Sequence, residues 1–159
     1  MTNPEYEILL VEDDAADAEL TMLALQEAAF AHRILLARDG AEALDILFCR
    51  GAHAHRHFEN PPHLVLLDLK LPRVSGHDVL RALKADGRTR PIPVIVLTSS
   101  DQDRDLIQCY RLGVNSYIKK PSELLKFQET VRHFARYWLV VNRKPPPAAF
   151  AMQALGEGV

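Results

Sequence analysis

Four short, uninterrupted apolar runs constrain this chain more than any other feature. They are residues 8–11 (Ile-Leu-Leu-Val), 34–37 (Ile-Leu-Leu-Ala), 64–67 (Leu-Val-Leu-Leu) and 94–97 (Val-Ile-Val-Leu), followed by a shorter fifth at Tyr117 and Ile118. Each is too short for an ordinary helix. The first four are apolar at every position rather than at alternate ones, as strands buried on both faces of a parallel sheet must be. Helix-length stretches separate them: residues 15–30, 41–49, 77–86, 102–112 and 123–140. Candidate caps Asp14, Ser75, Asp101 and Ser122 open four of these, and Gly113 marks one stop. Five strand–helix repeats in this order predict a doubly wound α/β fold, a five-stranded parallel sheet between two layers of helices. In such open sheets ligands bind at the carboxyl ends of the strands.

The size fits one domain: 159 residues, 48% of them hydrophobic, can bury a real core. That composition excludes a wholly disordered chain and a disulfide-stapled miniprotein. Nineteen basic against twenty-one acidic residues leave a net charge of −2, which gives no electrostatic support for binding nucleic acid. Cys49 and Cys109 form no framework and read as reduced thiols of a cytoplasmic protein. No run approaches the roughly 20 apolar residues of a membrane span, and the first residues lack the pattern of a secretory signal. Two segments fall outside the alternation. Residues 50–63 form a long polar connection ending in Pro61-Pro62, and after Asn142 the chain reads Arg-Lys-Pro-Pro-Pro and then turns Ala-rich. The expected organisation is a domain over residues 1–141 and an extended or disordered tail over 142–159.

Charge concentrates where the strands end. The first strand runs into Glu12-Asp13-Asp14, the third into Asp68, the fourth into Thr98-Ser99-Ser100 and the fifth into Lys119-Lys120-Pro121. A parallel sheet brings these ends to one edge. Three acidic groups facing one another there repel unless a cation sits among them, and oxygen donors without His or Cys favour a hard ion such as Mg²⁺. Taken alone, Glu12-Asp13-Asp14 reads equally well as an acidic loop with Asp14 as a helix cap. The addition of Asp68, Thr98 and Lys120-Pro121 at the matching strand ends makes that plain reading the poorer one.

With these residues in place, the sequence resembles the receiver domains of two-component response regulators over about residues 5–140. The motifs ILLVEDD, LVLLDLKLP followed by SG, PVIVLTSS and YIKKP stand in family order. The resemblance implies a flavodoxin-like strand order 2-1-3-4-5 with five helices. It also implies roles: Asp68 as phosphoacceptor, Glu12 and Asp13 as the acidic pair holding Mg²⁺, and Lys70 as the donor of a backbone carbonyl to the metal. Thr98 would bond the phosphoryl group, Lys120 would pair with it, Tyr117 would be the switch aromatic, and Pro121 would follow a cis peptide bond. A carboxylate ionised at neutral pH needs alignment and charge neutralisation more than a base, which fits these residue types. The implied protein is a switch that catalyses only its own phosphorylation and dephosphorylation.

Other residues have plainer readings. Lys119, on the opposite strand face from Lys120, is expected in solvent. His53, His55 and His57 alternate and could turn three imidazoles to one side, but a polar loop without a carboxylate frame makes a zinc or nickel site there the poorer reading. Leu124, Phe127, Val131, Phe134 and Trp138 recur at helical spacing and should face the sheet. Tyr137, Leu139, Val140 and Val141 then remain, an apolar run expected to form a homodimer contact, with exchanged C-terminal arms as one form of it. The roughly twenty residues after the expected domain are too few for a DNA-reading helix-turn-helix, so output is expected to run through protein contacts. The resemblance points to a sensor histidine kinase as partner, and the 50–63 connection and Tyr-Trp-Leu-Val-Val end look like regulators paired with phytochrome-type kinases. The alternative from another class is a pseudo-receiver, a binding scaffold that is never phosphorylated.

Overall fold

In a computed structural model, which describes residues 6–27 and 32–151, the five apolar runs become five parallel strands. They are β1 (Tyr6–Val11), β2 (His32–Ala37), β3 (Leu64–Leu67), β4 (Val94–Thr98) and β5 (Ser116–Lys119). Their order is β2-β1-β3-β4-β5, with Ile8 paired to both Ile34 and Leu64 and Val65 paired to Val94. The helices are α1 (Ala15–Gln26), α2 (Gly40–Leu47), α3 (Gly76–Ala85), α4 (Asp103–Leu112) and α5 (Leu124–Arg136). Alternate strand residues feed two separate cores. Leu9, Val11, Val65, Leu67, Val94 and Val96 pack with side chains of α2, α3 and α4. Ile8, Leu10, Leu64, Leu66, Ile95 and Leu97 pack with α1 and α5. The continuous apolar runs are thus explained: every residue of β1, β3 and β4 faces one layer of helices or the other, apart from the first residues of β1 and Thr98 at the end of β4.

Local signals set the helix starts. Asp14 accepts the Asp17 amide at 2.9 Å and Ser75 accepts that of Asp78 at 3.2 Å. Asp39 caps α2 in a reciprocal box with Glu42, whose carboxylate accepts the Arg38 amide. Neither Asp101 nor Ser122 caps a helix: α4 and α5 begin after Gln102 and Glu123 without side-chain caps. Gly113 ends α4 at φ +100°, a backbone conformation that only glycine adopts freely. Gly76 matters for space rather than for conformation, since a Cβ there would lie 2.2 Å from the Asp68 carbonyl oxygen.

The last helix departs from the expected stripe in two places. Leu124, the first residue of α5, is 52% exposed, and burial in that helix begins at Phe127. After Arg136 the helix widens into a π-helical turn, Tyr137–Val141, closed by the Asn142 amide on the Tyr137 carbonyl. Within it Leu139, four residues after buried Ala135, enters its own core, so it is not available as an interface residue. Tyr137, Val140 and Val141 stay at least half exposed.

The amino-end edge of the sheet is closed by the two segments that stood outside the alternation. Residues 50–63 are sewn to β1: the Glu7 amide donates to His63 Nδ1 at 2.9 Å, and the His63 amide to the Glu7 carbonyl at 2.8 Å. Glu7 is buried, which alone would raise its pKa, but its pairs with Arg56 and Arg33 lower it. Within the tail, residues 142–147 carry no helix or strand, residues 148–151 depart from the expected extended or disordered form, and residues 152–159 lie outside the described ones. Residues Ala148–Ala151 make a short helix, α6, and Phe150 is buried against the α2–α4 core beside a cavity lined by Pro61, Pro62, Pro93 and Pro147. The Lys84 ammonium, from α3, reaches the carbonyls of Arg90 and Ile92 and the Asn115 side chain, all at 2.9–3.0 Å. Burial, with Arg90 nearby, pushes its pKa down to about 8.

Candidate phosphoacceptor and cation site

The carboxyl ends of β1, β3, β4 and β5 carry the site, each element placing one chemical group. Glu12 and Asp13 follow β1, Asp68 follows β3, Thr98 ends β4 and Lys120 follows β5. The sheet continues into these residues: the Glu12 amide donates to the Ala37 carbonyl, that of Asp68 to Val11 and that of Lys120 to Thr98, at 3.0, 3.1 and 2.7 Å. Backbone pairing thus anchors the main chain at Glu12, Asp68 and Lys120.

Carboxylate oxygens of Glu12, Asp13 and Asp68 all lie within 4.8 Å of one another, and among the described residues this is the cluster able to hold a metal ion. Glu12 and Asp68 are buried while Asp13 is exposed, so the cluster opens to solvent on one side. An oxygen-only donor set of this size fits a hard divalent cation that keeps some of its water. His53 and His55 have ring centroids 6.1 Å apart, and neither they nor His57 enter such a cluster.

Lys120 is the counter-charge. Its ammonium contacts Glu12 Oε1, Asp17 Oδ2 at 3.0 Å and Asp68 Oδ2 at 3.2 Å, and its side chain is 8% exposed. Burial alone would lower the Lys120 pKa, but the Glu12 hydrogen bond and the Asp68 and Glu12 charges more than reverse this and raise it. For Glu12 burial wins: despite Lys120, it and the neighbouring Asp68 charge push the carboxyl up to about 7. The other Asp68 oxygen accepts the Leu69 amide at 2.7 Å. Lys119 points away and pairs on the surface with Asp101 at 3.3 Å. The Lys120–Pro121 bond is trans, which corrects the cis form that the resemblance implied; trans is the lower-energy isomer of an X–Pro bond.

Thr98 is fully buried, and its hydroxyl oxygen accepts the Ser100 amide at 3.4 Å, leaving its own proton to donate. Ser100 then links outward, its hydroxyl donating to Asp105 at 2.6 Å while its carbonyl accepts the Tyr117 hydroxyl at 3.2 Å. Tyr117 is half-buried with its ring against the α2–α4 core. Lys70 is exposed on the loop after Asp68, a loop pinned where the Gly76 amide donates to the Leu69 carbonyl at 2.9 Å. Asp17 was missed by sequence reasoning; its one signal is its place one helical turn beyond Asp13, which aims it at the same edge.

Comparison with known proteins agrees with this arrangement. The profile of the response regulator receiver domain matches residues 8–132. The "Probable methanogenesis regulatory protein FilR2" of Methanothrix harundinacea is 45% identical over 141 residues, covering 89% of this chain and 88% of that protein. Response regulator Rcp1 of Synechocystis sp. is 37% identical over 140 residues, covering 87% and 92%. The crystal structure of the phosphorylated cyanobacterial phytochrome response regulator RcpA superposes with a TM-score of 0.84 at 36% identity, over 89% of this chain and 99% of that one. The Mn²⁺-bound form of Rcp1 superposes at 0.83 and 35% identity, over 88% and 99%. Among the described residues no helix is long and apolar enough to cross a membrane.

Proposed function

The chain belongs to the response regulator receiver domain family, and from that premise we propose that it acts as a single-domain response regulator phosphorylated on Asp68 by a histidine kinase. The observation that carries this reading is the meeting of Asp68 with a three-carboxylate cluster on one side and the buried Lys120 ammonium on the other. Glu12, Asp13 and Asp68, with the backbone carbonyl of Lys70, would hold Mg²⁺. When bound, that ion supplies positive charge to offset the phosphoryl oxygens. An Asp68 oxygen forms the O–P bond as the donor's N–P bond breaks and the donor imidazole leaves with the electron pair. The Leu69 amide keeps the carboxylate oriented for this step. Lys120 and the Thr98 hydroxyl would contact the oxygens of the group on Asp68, so that alignment and electrostatics carry most of the rate. Thr98 and Tyr117 both engage Ser100, which couples the phosphorylated site to α4 and β5.

Similarity to the cyanobacterial phytochrome response regulator RcpA favours a phytochrome-type sensor kinase as the donor and signalling through protein contacts in the cytoplasm. A homodimer built on exposed Tyr137, Val140 and Val141 is part of the same reading, and sedimentation of the full chain beside V140D/V141D tests it. The central test is Mg²⁺-dependent labelling by a small acyl phosphate. The wild type should take up one hydroxylamine-sensitive phosphoryl group, and Asp68→Asn should abolish it. Undiminished labelling of Asp68→Asn overturns the assignment, and a wild type that never labels favours the pseudo-receiver scaffold.

A further inference from the structure

We propose that Asp17 is a positioning residue, which holds the Lys120 ammonium on the α1 side of the site and so leaves Glu12 and Asp68 available to a divalent cation. The inference rests on the phosphoacceptor reading above and adds a residue to it. Three carboxylates share the three N–H donors of Lys120. Two of these, Glu12 and Asp68, are also members of the oxygen cluster, whereas Asp17 is not. A cation entering the cluster competes with Lys120 for Glu12 and Asp68, and Asp17 is the partner that Lys120 keeps. Asp17 is well placed for this. Its amide donates to Asp14 at 2.9 Å, its carbonyl accepts the Thr21 hydroxyl at 2.7 Å, and its carboxylate meets the ammonium at 3.0 Å.

Charge makes the role depend on state. Before phosphorylation, Asp17 draws Lys120 away from the cluster and adds negative charge beside it, and both effects favour the cation. After phosphorylation, Lys120 is needed by the phosphoryl oxygens, and Asp17 competes for it and repels them. Removing the Asp17 charge therefore has opposite effects in the two states: weaker cation binding before transfer and a longer-lived phosphoryl group after it. Loss of a merely structural contact at the start of α1 would weaken both together.

The test uses the full chain, with Mg²⁺ alone titrated by calorimetry and phosphoryl lifetime followed after labelling with a small acyl phosphate. For a half-exposed ion pair the expected change in Asp17→Asn is about 2- to 5-fold weaker Mg²⁺ binding. The phosphoryl lifetime should lengthen, and Asp17→Glu, which keeps the charge, should recover most of the lost affinity. In a Lys120→Gln background the Asp17→Asn step should lose most of its effect on Mg²⁺. Unchanged Mg²⁺ affinity in Asp17→Asn, or an equal loss with and without Lys120, overturns this inference alone. A wild type that binds no Mg²⁺ overturns the cation-site reading and this inference with it.

Discussion

Replacing Gly76 by alanine sets two known effects against each other at the residue that opens α3. Inside a helix the exchange normally stabilises by about 1 kcal/mol, because alanine has less backbone freedom to lose. Here the added Cβ would stand 2.2 Å from the Asp68 carbonyl oxygen, 2.6 Å from Leu69 Cα and 3.0 Å from the Asp68 carbonyl carbon. All three are backbone atoms, so no side chain can swing aside. Restoring ordinary contact requires about 1 Å of separation between α3 and the Asp68 loop, at a cost of about 1–3 kcal/mol for overpacking. The same displacement moves Asp68 relative to Lys120 and Glu12, and a misplacement of about 1 Å costs on the order of 10²-fold in rate. Urea unfolding and Mg²⁺-dependent acyl phosphate labelling read the two consequences separately. Ser75→Ala is the control: it loses the bond to the Asp78 amide and about 0.5–2 kcal/mol, but leaves Asp68 in place and the rate near wild type. A Gly76→Ala protein that is more stable than wild type and labels at the same rate would refute the close-approach argument.

Leu139→Ala should cost about 2–5 kcal/mol in unfolding free energy, whereas Val140→Ala should stay within about 0.5 kcal/mol in the monomer; equal losses would contradict the burial of one and exposure of the other. Burial, and after it the Lys144 charge, lowers the His63 pKa below its usual 6.5, outweighing the Glu7 charge and backbone hydrogen bond, which raise it. The unfolded chain then binds more protons as pH falls through 6.5, so this contribution is complete above that pH and lost progressively below it. Stability measured from about pH 7 to 5 should therefore fall more steeply in the wild type than in His63→Asn, and parallel slopes would dismiss the role. Burial also pushes the Cys109 thiol up to about 11, so a thiol reagent should modify half-buried Cys49 in the native protein and reach Cys109 only on unfolding. Native labelling of Cys109 at the Cys49 rate would contradict this.

Strands β1, β3 and β4 were legible because burial on both faces leaves no polar position in their runs. β5 was barely visible, since it lies at the sheet edge with every residue at least partly exposed. Glu12, Asp13, Asp68 and Thr98 could be read because each sits at or just after the end of such a run, and Lys120 because Pro121 follows it. Asp17 could not, because a helical carboxylate one turn along looks like any solvated acid until Lys120 is seen to reach it. The α2 cap was readable but missed: Asp39 and Glu42 stand at capping-box spacing. Leu139 lies outside the expected stripe, which steps from Phe134 to Trp138; Trp138 does pack against the same core, and buried Ala135 leads four residues on to Leu139. Phe150 carried almost no signal, a single aromatic among prolines and alanines whose partner, the proline-lined edge, exists only in the folded sheet.

The placement of the 50–63 connection has a consequence for how the chain assembles. Pairing β1 with β3 brings Ile8 beside Leu64, closing a loop of 56 residues that contains α1, β2, α2 and this connection. Closure entropy grows only with the logarithm of loop length, so shortening the connection by about ten residues would change the closure cost by about 0.2 kcal/mol. Its length is thus nearly neutral for reaching the native topology. The points that resist change are few: Arg56, which meets Glu7, and His63, which bonds the Glu7 backbone. Insertions between those two anchors and deletions before Arg56 should leave both the sheet and the opposite, carboxyl-end edge intact. This makes the segment the natural place for related chains to vary in length.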